Sequence, residues 1–160
     1  MTFNRRVMLI SVSAAACLSA AAVYVFAGSG DDESVAVPVP TAEVAGYCKA
    51  LHARLPKTVD GMSGHALKPA SPLTAGWGDP TIVLRCGVPR PANDDDVNTP
   101  GAEVGGVSWS WQQDEDGSAR LTTTLRKAYV ELLLPARYAH DATPLAELAP
   151  AVKATIPAGL

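Results

Sequence analysis

Two cysteines, Cys48 and Cys86, constrain this chain more than any other feature, because they fall in segments of different periodicity. Thr41 is placed to cap a helix, Glu43 sits in its first turn, and Val44, Tyr47, Cys48, Leu51 and Leu55 follow at helical spacing until Pro56 stops the run. Residues 81–88 alternate as a strand instead: Ile82, Leu84, Cys86 and Val88 share one face, while Val83 and Arg85 point the other way. Packing the helix on this strand puts both sulfurs in one buried layer, which predicts a disulfide. Closing a loop of that length is worth about 4 kcal/mol in the chain-entropy account. The rival is a thiolate or metal site built from Cys48 and His52, one turn away; it lacks further ligands in a recognisable spacing.

A disulfide requires an oxidising compartment, and the N-terminus supplies a route to one. Residues 7–27 form 21 consecutive positions without a charge or a proline, long enough to cross a bilayer as a helix. Arg5 and Arg6 precede the run and Asp31, Asp32 and Glu33 follow it, so residues 1–6 are expected in the cytoplasm and the rest outside. The run exceeds the usual apolar core of a signal peptide, which favours an uncleaved single-pass anchor in the cell membrane. A secreted form, cut after Val25-Phe26-Ala27, and a form lipid-anchored at Cys17 are the alternatives. Beyond the run the formal balance is −5, with 11 basic and 16 acidic residues, which argues against a nucleic-acid partner.

Residues 28–40, rich in Gly, Ser and acids and then alternating Val with Pro, read as a solvated linker, and 41–160 as a single ectodomain. The Gly-, Pro- and Ser-rich segment 57–80 reads as a long surface loop held by the disulfide. Three more strands follow: Val107 to Gln112, Ala119 to Leu125 after a turn at Asp114–Gly117, and Tyr129 to Leu134. Thr143-Pro144 opens a second helix through Leu145, Leu148, Val152 and Ile156, which Pro150 is expected to kink or split. The expected fold is α+β: a small antiparallel sheet of about four strands, an N-terminal and a C-terminal helix on one face, and a helix-to-sheet disulfide.

Catalytic patterns are lacking. The three histidines, His52, His65 and His140, are scattered, and no metalloprotease, nucleophile-elbow or phosphate-loop motif occurs. Asp94-x-Asp96-x-Asn98 and Asp114-x-Asp116-x-Ser118 begin like calcium loops, but Thr99 and Ala119 replace the required glycine, so both read as solvated turns. No metal or cofactor is expected. Trp109 and Trp111, on the strand face of Val107, read as core rather than as a platform for sugars. The candidate binding surface comprises Trp77, Asp79, Arg85, Arg126 and Glu131, with Arg85 and Glu131 able to pair across the sheet. The expected role is a non-catalytic binding or adaptor domain whose partner is an envelope protein or a cell-wall component. The alternative is a cell-wall or lipid hydrolase using Asp79 or Glu131 as acid or base.

Several blocks carry a family likeness: Cys48-Lys49-Ala50-Leu51 with Leu55-Pro56 and Val59-Asp60-Gly61, Trp77-Gly78-Asp79-Pro80 with Leu84-Arg85-Cys86-Gly87-Val88, Gly106-Val107 with Trp109, and Tyr129-Val130-Glu131. Through them the chain resembles DUF3515, an actinobacterial family of envelope proteins that typically carries an N-terminal membrane segment or lipoprotein signal. Ser108 replaces an acidic residue of that pattern and Leu121 a phenylalanine. The resemblance implies an envelope location and a shared fold, and no activity.

Overall fold

The computed structural model describes residues 34–92 and 94–159. The expected anchor at 7–27, the cytoplasmic 1–6 and Cys17 lie outside the described residues. Among the described residues no helix is long and apolar enough to cross a membrane.

Among the described residues the domain has two α-helices, eight strands and a short 3-10 helix at Ala136–Tyr138: α1 (Ala42–His52), β1 (Thr58–Val59), β2 (Met62–His65), β3 (Thr74–Trp77), β4 (Ile82–Val88), β5 (Gly101–Val104), β6 (Val107–Gln113), β7 (Ala119–Thr123), β8 (Tyr129–Leu134) and α2 (Thr143–Thr155). All neighbours pair antiparallel, in the order β1-β2-β3-β4-β8-β7-β6-β5. The expectation of about four strands is therefore corrected to eight. Three of the added strands lie in the segment read as a loop, and the fourth, β5, pairs with β6 through Gly101↔Ser110 to Val104↔Val107. Strands of two to four residues offer too few alternating positions to stand out from turn composition.

Thr41 caps α1 as its position suggests, its Oγ1 accepting from the Val44 amide at 3.4 Å. The helix stops at His52, one turn short of Leu55. Pro150 does not split α2, which runs unbroken over 13 residues. Both Pro150 and Ala146, whose carbonyl loses its usual donor, are exposed. That carbonyl can therefore be satisfied by water.

α2 touches α1, β1, β5 and β6, so it reaches both ends of the strand order. Seven interstrand steps on a flat sheet would span roughly 34 Å, whereas a helix of 13 residues is about 20 Å long. The sheet must curl around the helices. Its concave side and the helices enclose one core that includes Leu51, Trp77, Ile82, Leu84, Trp109, Val130, Leu132, Leu148, Val152 and Ile156.

Cys48 on α1 and Cys86 on β4 are bonded, with Cα atoms 5.5 Å apart, and both are buried. This is the helix-to-sheet disulfide expected from periodicity. Immediately after it, β4 bulges at Gly87, whose φ is +89°. A Cβ there would lie 2.8 Å from Cγ of Pro40, so glycine lets the chain entering α1 pass close over the strand.

The described half of the stretch read as linker, 34–40, lies against the domain. Ser34 bridges Lys68, the Val35 amide donates to the Lys68 carbonyl at 2.9 Å, and Pro38 is buried. This segment and Leu67, which lies over Gly76, cover part of the convex face at β3 and β4.

Both thiols are expected to resist alkylation until reduction, and Cys48→Ala to lower unfolding free energy by roughly 2 to 5 kcal/mol in denaturant titrations. Labelling of either cysteine in the unreduced native protein would contradict the bond.

Candidate functional site

On the convex face the register brings polar side chains from adjacent strands into one row. Arg85 of β4 lies opposite Glu131 of β8, Glu131 opposite Thr122 of β7, and Thr122 opposite Ser110 of β6. Arg120 and Gln112 form the next pair along β7 and β6.

Glu131 organises this face. Its Oε1 accepts from Arg85 Nη1 at 2.8 Å and its Oε2 from Arg120 Nη1 at 3.1 Å, while Arg120 Nη2 reaches Asp114 Oδ2 at 3.2 Å. The Glu131 side chain is only 9% exposed, against 22% for Arg85 and 37% for Arg120. Arg85 Nε also donates to the Ala36 carbonyl at 3.0 Å, tying the N-terminal segment to the network. Beside it a cleft of about 450 Å³ opens between the chain at Val88–Ala92 and the sheet, with Ser110, Gln112, Arg120, Thr122 and Glu131 among its lining residues.

The five residues predicted to share a surface do not all meet. Arg85 and Glu131 do. Trp77 is 2% exposed and belongs to the core: its pairing with Ile82 turns it to the concave side, where Nε1 donates to the Pro56 carbonyl at 3.1 Å. Arg126 is buried as well. Its Nη1 donates to the Ile156 carbonyl at 2.6 Å and Nη2 to the Gly106 carbonyl at 3.2 Å, so it satisfies the C-terminal end of α2. Asp79 is exposed in the β3–β4 turn, beyond the Trp77–Ile82 pair. Three residues of β4, about 10 Å, and the turn itself lie between it and the Arg85–Glu131 pair.

The acid or base expected at Asp79 or Glu131 would therefore act at two separate places on the domain. Both oxygens of Glu131 already accept from guanidinium groups, Oε1 from Arg85 and Oε2 from Arg120, so neither is free to reach a substrate while those bonds hold.

The acidic segment read as a solvated turn divides. Asp96 does accept from the Asn98 amide and side chain, and Asp116 from Ser118, as exposed turns. Asp94 instead is buried: Oδ2 accepts from Arg90 Nε at 2.9 Å and from the Tyr129 hydroxyl at 2.8 Å, and Oδ1 from the Leu125 amide at 3.0 Å. Burial, and then the hydrogen bond to Asp94, push the Tyr129 hydroxyl up to about 12. Among the described residues no group of three or more His, Cys, Asp or Glu side chains is placed to hold a metal ion.

Sequence reasoning missed a second concavity because it read 57–80 as a loop. β2 pairs with β3 only through Gly64 and His65. Beyond His65 the chain departs, and a groove of about 780 Å³ opens beside Thr74 and Ala75, bounded by Leu67 and by Leu55 and Pro56 after α1. The helical spacing of Leu55 was the available clue; it marks one wall.

The fold and these sites define a class: a curled antiparallel α+β domain locked by one disulfide, with a polar cleft on its convex face and an apolar groove at the edge of β3. The chain belongs to the family described as "Protein of unknown function (DUF3515)", which matches residues 7–160. No curated protein and no solved structure matches it.

Two outcomes follow from these contacts. Arg85→Ala is expected to destabilise the fold by about 2 kcal/mol and Arg120→Ala by about 1 kcal/mol, since Arg85 is the less exposed and also holds Ala36. Urea titration of both variants checks that order, which equal losses would refute. Folding raises the Tyr129 pKa, so the protonated phenol favours the native state fully below its ordinary value of 10.0, and that contribution is lost as pH rises to about 12. Tyr129→Phe should flatten the stability loss across that window when unfolding is measured at a series of alkaline pH values.

Proposed function

We propose that this chain is a non-catalytic binding or adaptor domain held outside the cell membrane of an actinobacterium by residues 7–27. Its polar sheet face engages an envelope protein or a cell-wall component. A secreted or lipid-anchored form would present the same face. The observation that carries the reading is the fixed Arg85–Glu131–Arg120–Asp114 network beside a cleft lined by Ser110, Gln112 and Thr122. Its arginines and carboxylates are held by one another, so the outer part of Arg120 is presented in a set geometry beside the exposed Gln112. Pre-organisation of this kind reduces the ordering cost of association. The oxidising compartment that a disulfide requires supports an extracytoplasmic location.

The test places a photo-crosslinking residue at Gln112 in the full-length protein in intact cells, with exposed Ala146 on α2 as the control position. The expected result is an adduct specific to position 112 that disappears in Arg120→Ala while the fold persists. Identical adducts from positions 112 and 146 would overturn the site. Turnover of labelled envelope material by the purified protein, abolished by Glu131→Gln or Asp79→Asn, would replace binding with hydrolysis.

A further inference from the structure

We infer that the groove beside β3 is a lipid site that takes one apolar chain of an anionic membrane lipid. Its walls are Leu55, Pro56, Leu67, Ala75 and Trp77, and its volume of about 780 Å³ falls in the range of sites for small organic ligands. The indole nitrogen of Trp77, the most polar atom of these side chains, is already satisfied by the Pro56 carbonyl, so the floor asks for no hydrogen-bonding ligand.

The charge at the rim selects the head group. Lys57, His52 and His65 are exposed and line the groove, and no lining residue is Asp or Glu. Among the described residues neither Lys57 nor His52 has a carboxylate partner. An apolar trough whose rim carries the Lys57 ammonium and no carboxylate complements an amphiphile with an anionic head.

Chain length selects the source. Leu67 and Ala70 line the groove, and they flank Lys68 and Pro69, where Ser34 bridges Lys68. Residues 28–33 are all that separates Ser34 from the apolar run 7–27, a span of at most about 25 Å when fully extended. With 7–27 in the bilayer, the groove stays within reach of the lipid surface. The choice of a membrane lipid rests on the tether reading proposed above; the groove's amphiphile chemistry does not.

The full chain is mixed with phosphatidylcholine vesicles containing phosphatidylglycerol that carries a diazirine in one acyl chain, then irradiated, and adducts are mapped by proteolysis and mass spectrometry. A parallel set uses diacylglycerol with the same diazirine chain. Adducts are expected on residues 64–77. Ala70→Trp, which fills the groove from an exposed position, should lose labelling by both probes. Lys57→Gln should reduce labelling by the phosphatidylglycerol probe about fivefold and leave the diacylglycerol probe unchanged. Thermal unfolding confirms that both variants are folded. Adducts scattered over the surface, or labelling of 64–77 that persists in Ala70→Trp, overturn the site. If the chain does not float with the vesicles, a water-soluble diazirine-bearing decyl phosphate separates the two ideas. Labelling of 64–77 by it then keeps the groove and overturns the tether, and no labelling overturns both.

Discussion

The two helices act as the form around which the sheet is bent. α2 contacts β1 near one margin and β5 and β6 near the other, so the strands between them cannot lie flat. The burial of Leu148 and Val152 on α2, of Ile156 just beyond its end and of Leu51 on α1 against the concave side holds that curvature. The disulfide fixes α1 to β4 at the middle of the strand order, and the convex face inherits its row of polar side chains from the same bend. Arg126 closes the arrangement by satisfying the carbonyl of Ile156 where α2 ends.

What the sequence made legible were the elements long enough to show a period. Thr41 announced the start of α1, the alternation from Ile82 to Val88 announced β4, and together they placed Cys48 against Cys86. β6, β7 and β8 were legible for the same reason. β1, β2 and β3 were not, since each is at most four residues long and they lie among glycines and prolines that ordinarily mark turns. β5, Gly101-Ala102-Glu103-Val104, is a mostly exposed edge and carries little apolar signal.

The candidate site divides along the same line. Arg85 and Glu131 were found because cross-strand pairing follows from strand register. Trp77 was misplaced on the surface because the β3–β4 hairpin, which turns it inward, had not been recognised. Arg126 looked like an exposed charge because its partners are main-chain carbonyls at Ile156 and Gly106, distant in sequence and without any residue signature. Asp94 was hidden the same way: its partners Leu125 and Tyr129 lie 31 and 35 residues further along the chain.

The route by which the chain enters the domain sets how a mechanical load is shared. From Ser34 it crosses the convex face, bonded to Lys68 and then to Arg85, and passes over Gly87 into α1. Traction from the N-terminal side therefore first meets hydrogen bonds on the back of the sheet. Once these part, it is carried through Cys48 into β4, a strand with neighbours on both sides. A covalent link into an interior strand loads several ladders in shear, whereas an attachment at a margin would peel them one bond at a time. The bridge that stabilises the domain in solution thus also sets how far α1 can unravel under tension: as far as Cys48.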